Sequence, residues 1–154
     1  MLGCFLKCNF NKWPVGSPER FIHGCWQLRM MRFHTFFHQC EKAIQDRYNR
    51  INHSIGAKVV YIDLLSLGAD YRNQSQILNI IQNEEQLTWV WFINCQALLN
   101  TSLAGWLRSI LTTNNIDHIR VVFILDDQEQ YKSIFQRYSA PLYKATTELD
   151  TSTN

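Results

Sequence analysis

Three unbroken apolar runs constrain this chain more than any other feature: Lys58 to Leu67 (KVVYIDLLSL), Thr88 to Asn100 (TWVWFINCQALLN) and Ile119 to Asp127 (IRVVFILDD). Each turns polar at the same relative point. Val, Ile, Phe and Trp following one another without alternation imply burial on both faces, the pattern of inner strands in a parallel sheet covered by helices. The expected fold is therefore α/β, a three-layer arrangement with a mainly parallel sheet of about five strands. The middle run is expected as the central strand.

The remaining elements follow from periodicity and punctuation. Residues 1–19 hold Pro14 and Pro18 with Gly16 and Ser17 between them and are expected as a loop-rich entry. A single domain then spans 20–149, and 150–154 forms a flexible tail; 154 residues suffice for one well-packed core. Arg20 to Gly24 is expected as a short strand ending at glycine. From Arg32, the residues Phe33, Phe36, Phe37, Cys40 and Ile44 recur at intervals of three and four, which predicts a helix to about Ile51 with Gly56 beyond its end. Further helices are expected over Asn73 to Glu85, over Leu103 to Leu111 capped by Asn100 or Thr101, and after Asp126 or Asp127 until Pro141. Leu142 to Thr147 is expected as a last edge strand.

Composition excludes more than it assigns. Only 18% of residues are charged, against an ordinary share of about 25%, so much of the surface is built from Asn, Gln, Ser and Thr and suits a protein partner. A net charge of +2, with Lys and Arg interleaved among Asp and Glu, gives no indication of nucleic acid binding. Five cysteines, an odd number without a C-x-x-C pair, fit neither a disulfide framework nor a zinc ribbon and point to a reducing, cytoplasmic setting. Lys7 interrupts the first apolar residues, so a signal peptide is not expected, and no run is long enough for a membrane span.

No motif supplies a catalytic set, a cofactor site or a metal site. His34 and His38 lie four apart in the expected helix and share one face, but position 35 is Thr rather than Glu, and no third ligand is identified. Asp63 with Asp126 and Asp127 resembles the acidic pocket of phospho-receiver domains, yet Asn94 stands where the phosphoacceptor would be, and helix capping accounts for the pair. Cys95 has no histidine placed to activate it and reads as a buried thiol. Trp26, with Arg29 and Arg32, lies in an expected loop and could meet a phosphate-bearing or acidic partner. Tyr71 and Arg72 join this group as expected interaction residues, because Trp, Tyr and Arg are enriched in interface hot spots.

The stretch Ile22-His-Gly-Cys-Trp-Gln-Leu-Arg-Met-Met-Arg-Phe33 resembles the phosphate loop of P-loop ATPases at Gly24, Trp26 and Phe33. At that loop's spacing, Arg29, Met30 and Met31 replace the second glycine, the lysine and the hydroxyl residue. Asn94-Cys95 replaces the acidic pair that would hold magnesium after the central strand. The resemblance is thus to degenerate STAND and AAA+ domains, over residues 20–147. It implies the strand order 5-1-4-3-2, with the first strand beside the one at Ile119. It also implies a catalytically inactive, pseudo-ATPase module that works by protein interaction, the alternative being an ATPase with an atypical loop. A rival resemblance, carried by Leu99 to Leu107, is to STAS proteins; it implies a phospho-switch regulator with Thr101 or Ser102 as the switch residue. The surface at the carboxyl ends of the strands, with loops Cys25 to Arg32, Ser66 to Arg72, Asn94 to Thr101 and Asp126 to Gln130, is where a macromolecular partner is expected to bind.

Overall fold

The structure, a computed structural model, describes residues 12–113 and 115–151. Five parallel strands form one sheet in the order β2-β3-β4-β1-β5: β1 (Arg32–Phe36), β2 (Lys58–Asp63), β3 (Thr88–Ile93), β4 (Ile119–Leu125) and β5 (Thr147–Glu148). Helices α1 (Pro18–Gln27) and α2 (Lys42–Ser54) cover one face. The other carries α3 (Ser75–Gln82), α4 (Thr101–Thr113) and α5 (Gln128–Tyr131), which continues as a π turn over Lys132–Gln136. The three-layer α/β class with a mainly parallel sheet of about five strands, expected from the apolar runs, is the observed one, and all its strand pairs are parallel.

All three runs are strands, but only β3 and β4 are inner strands covered on both faces. The Lys58 run, expected to be inner, is the edge strand β2 with only Ile62 fully buried, and β4 rather than the Thr88 run takes the centre of the sheet. In β3, Trp89 and Trp91 point toward α1 and α2, while Val90 and Phe92 join Leu107, Ile134 and Phe135 on the other side. β4 alternates likewise, with Val122 and Ile124 in the first core and Val121, Phe123 and Leu125 in the second. Register is continuous across the centre, Val90 lying opposite Val121 and Val121 opposite Arg32.

The first third of the domain differs from expectation. Arg20 to Gly24 is not a strand but the middle of α1, started by a Ser-Pro-Glu signal: the Ser17 hydroxyl accepts from the Arg20 amide at 3.2 Å, Pro18 takes the first turn, and Glu19 suits the helix dipole. Arg32 to Phe36 is not the start of a helix but β1, and the helix expected from Arg32 begins ten residues later, at Lys42. Phe33, Phe36 and Cys40 fit a helical stripe by spacing, yet Phe33 and Phe36 face opposite cores. Burial on both faces is what the strand satisfies, with Thr35 fully covered between them. Gly56 does follow α2, at φ 87°, where a left-handed residue closes the helix. The last strand is shorter and later than expected, because residues 141–145 turn before pairing with β1 at Phe33 and His34.

Candidate functional site

At the carboxyl edge of the sheet, every strand from β1 to β3 ends in a tight 3₁₀ turn, formed by Phe37–Gln39, Leu64–Leu67 and Cys95–Leu99. Such turns use up their own backbone hydrogen bonds and push one side chain outward. Phe37, Leu65 and Leu99 are the ones pushed out, each with more than half of its surface exposed (57%, 51% and 56%). Phe37 and Leu65 are three strand spacings apart, about 14 Å, a span a peptide or a loop can bridge. The turn Leu64–Leu67 packs against Cys95–Leu99, so Leu65 and Leu99 belong to one surface.

The carboxylates of this edge are engaged in local capping. Asp63 accepts from the Leu65 amide at 3.0 Å, Asp127 caps α5 through the Gln130 amide at 2.9 Å, and the Gln130 side chain closes on Asp126 at 2.8 Å. The resemblance to a receiver pocket thus reduces to caps, as the sequence suggests. Asn94 adopts the left-handed conformation at φ 56° and starts the turn carrying Cys95. Cys95 is buried, and burial, then the nearby Asp126, pushes its thiol far above the ordinary range. It is not poised as a nucleophile. Tyr71 is buried too, packed on Trp106 with ring centroids 5.3 Å apart, and Arg72 lies over its ring at 4.7 Å. Of that expected interaction pair, only Arg72 presents its side chain to solvent.

The other expected residues lie elsewhere. The loop Cys25 to Arg32 sits at the amino edge of β1, opposite the carboxyl edge assigned to it, because the strand follows rather than precedes it. Gly24 is inside α1, and Arg29, at φ 58°, turns the chain through Met30 and Met31 into β1. Trp26 is not a surface anchor: it is 1% exposed, and its indole donates to Asn52 Oδ1 at 3.0 Å. His34 and His38 do not share a helix face, since His34 is in β1 and His38 in the following turn. His34 Nδ1 pairs with the Thr146 hydroxyl at 2.9 Å, and burial lowers its pKa to about 4, which keeps the ring neutral. Among the described residues no group of His, Cys, Asp and Glu is arranged to hold a metal ion.

Two arrangements escaped the sequence reading. Arg120 is 1% exposed inside β4 and forms no ion pair with a carboxylate among the described residues; its guanidinium donates to the carbonyls of Cys25 (3.1 Å), Trp26 (3.2 Å), Asp117 (2.8 Å) and Ile119 (2.8 Å) and lies 4.5 Å from the Trp26 ring. It therefore binds the carbonyl end of α1, where a cation complements the helix dipole, and burial lowers its pKa to about 10. The sequence signal was there, a single charge inside an apolar strand. The second is a row of amides on the inner side of α2: Gln45 accepts from Tyr61, Asn49 from the Trp91 indole at 2.7 Å and Asn52 from Trp26. They accept from the polar tips of three aromatic side chains, Tyr61 and Trp91 of the sheet and Trp26 of α1.

Comparison of the chain with protein-family models, with curated proteins and with solved structures finds no match in any of the three.

Proposed function

We propose that the chain is a P-loop-like domain that does not turn over nucleotide and acts as a protein-interaction module through the carboxyl edge of its sheet. The observation that carries this reading is the segment joining β1 to α2. The order β2-β3-β4-β1-β5 is the 5-1-4-3-2 order of that fold class, with β1 beside β4. In it, the phosphate loop belongs after β1, at Phe37 to Glu41, and not at Gly24 to Met31.

That segment is unsuited to phosphate. It has no glycine, its backbone is committed to a 3₁₀ turn, and Glu41 stands at the N-cap of α2, where its carboxylate would repel an anion. Lys42 alone matches the motif, and it is ion-paired with Asp46 one turn on. Asn94-Cys95 after β3 supplies neither a magnesium ligand nor a base. What this edge does offer is exposed Phe37, Leu65 and Leu99, apolar groups of the kind that a partner covers. The test is magnesium-dependent ATP and GTP turnover by the purified chain. Background rates are expected, and turnover above a boiled control that falls on Lys42→Ala or Asn94→Ala would overturn the reading in favour of an atypical ATPase.

One observation favours a second reading, the phospho-switch. Thr101 is exposed at the start of α4, where the Asn100 side chain already caps the Ser102 amide at 3.0 Å, and it lines a cavity of about 280 Å³ together with Arg137. A phosphate on Thr101 would find a guanidinium and a helix N-terminus beside it. Phosphopeptide mass spectrometry on protein from its native cell tests this, with modification at Thr101 or Ser102 as the supporting result.

A further inference from the structure

The amino edge of the sheet carries a cluster of cations that the interaction reading does not use. Arg32, at the start of β1, donates through Nε to the Ala145 carbonyl at 3.1 Å and through Nη1 to the Leu111 carbonyl at 3.5 Å. Arg108, from α4, donates through Nη1 to the carbonyls of Pro141 and Tyr143, both at 3.1 Å. Both guanidiniums thus converge on the segment 141–145, and Lys144 lies within it, exposed and at φ 55°. None of the three is ion-paired with a carboxylate among the described residues.

Three positive groups gathered on five residues of chain repel one another unless an anion joins them. The repulsion is felt: Arg32 is held below the ordinary arginine range, first by burial and then by Arg108. A guanidinium has five N–H donors, so with two engaged on Arg32 and two on Arg108, three remain on each. Beside them is a cavity of about 260 Å³ lined by Arg32, Lys144, Thr146 and Thr147, with Met30 and Met31 as its apolar wall and no carboxylate in its lining.

We propose that this cavity binds a small phosphate-bearing anion between Arg32 and Lys144, with Arg108 adding charge from behind. Phosphate suits it better than a monocarboxylate because three cations offset a dianion or a higher charge, and a tetrahedral group offers acceptors to several donors at once. The volume admits pyrophosphate or a small phosphate ester and lies below that of pockets for larger ligands, which start at about 300 Å³. The site is on the opposite edge from the β1–α2 loop, so it is independent of any nucleotide site the fold class implies.

Titration calorimetry of the full chain with pyrophosphate and with inorganic phosphate, at ionic strength held constant with chloride, tests this. Saturable binding of pyrophosphate is expected, weakened about tenfold or more by Arg108→Gln and by Lys144→Gln. Lys144 is exposed, so its variant stays folded even where the loss of the Arg108 latch loosens the 141–145 segment. A wild-type chain that does not bind pyrophosphate, binds acetate as tightly, or keeps its affinity in the folded Lys144→Gln variant would overturn the proposal.

Discussion

Both edges of the sheet expose apolar side chains, Leu28 and Met30 at the amino edge and Phe37, Leu65 and Leu99 at the carboxyl edge, but they employ their charged groups differently. At the amino edge, three arginines turn inward: Arg120, Arg32 and Arg108 spend their donors on backbone carbonyls. At the carboxyl edge, charged side chains cap their own turns, and apolar ones, Phe37, Leu65 and Leu99, turn outward. Residue type alone therefore misleads. Trp26 and Arg32 look like interface anchors, yet they hold the scaffold, whereas Phe37, Leu65 and Leu99 in short turns are exposed.

If that contrast is right, substitutions of the inward-turned groups at the amino edge cost stability, and substitutions of the exposed apolar groups at the carboxyl edge cost binding. The largest effect is expected for Arg120→Leu, which takes a donor from each of four carbonyls, of which Cys25 keeps the Met30 amide. A loss of about 3 kcal/mol is expected in urea denaturation, and a loss below about 1 kcal/mol would mean that water replaces the guanidinium. Asn52→Leu comes next: it strands the Trp26 indole beneath α2 and is expected to cost about 2 kcal/mol, read from the same midpoint with an unchanged slope.

Between the edges, His34 gives the contrast a pH dependence. Its pKa is lowered to about 4 in the folded chain against an ordinary value of 6.5, so between those values the unfolded chain binds more protons than the folded one. Stability is therefore complete above pH 6.5 and falls as pH drops toward 4. His34→Gln is expected to flatten this part of the urea midpoint against pH, and an unchanged slope would assign the titration to another group, such as His23, whose pKa is also lowered by burial.

These effects also mark what the sequence could and could not disclose. β3 and β4 are legible because burial on both faces leaves few polar positions in them, Thr88 and Arg120 being the exceptions. β2 is legible from its Val-Val-Tyr-Ile run although it lies at the sheet edge with Ile62 as its one fully buried residue. β1 is not legible in the same way: His34 and Thr35 break its apolar run, and the phenylalanines of 33–37 continue into Cys40 and Ile44 at helical intervals. Missing β1 displaced everything tied to it, placing the loop Cys25 to Arg32 on the wrong edge and the phosphate-loop comparison on a helix. The start of α1 was legible in Ser17-Pro18-Glu19, a cap signal outweighed by the glycine at 24. The exposure of Phe37, Leu65 and Leu99 could not be read, since an apolar residue following an apolar strand looks like more core until the turn is seen.

The smallest expected effect on stability belongs to the carboxyl edge. Phe37→Ser, Leu65→Ser and Leu99→Ser are each expected to shift the unfolding free energy by about 0.5 kcal/mol, because more than half of each residue's surface is already in water. The most direct measurement of the central claim uses the three together. Quantitative affinity capture from an extract of the native cell would compare the wild-type chain, this triple variant and an amino-edge control, the exposed Arg29→Ala, all confirmed to melt at the same temperature. The account predicts partners that the wild type and the control recover alike and that the triple variant loses. Equal recovery by all three would contradict it, and would place the interaction surface away from the carboxyl edge.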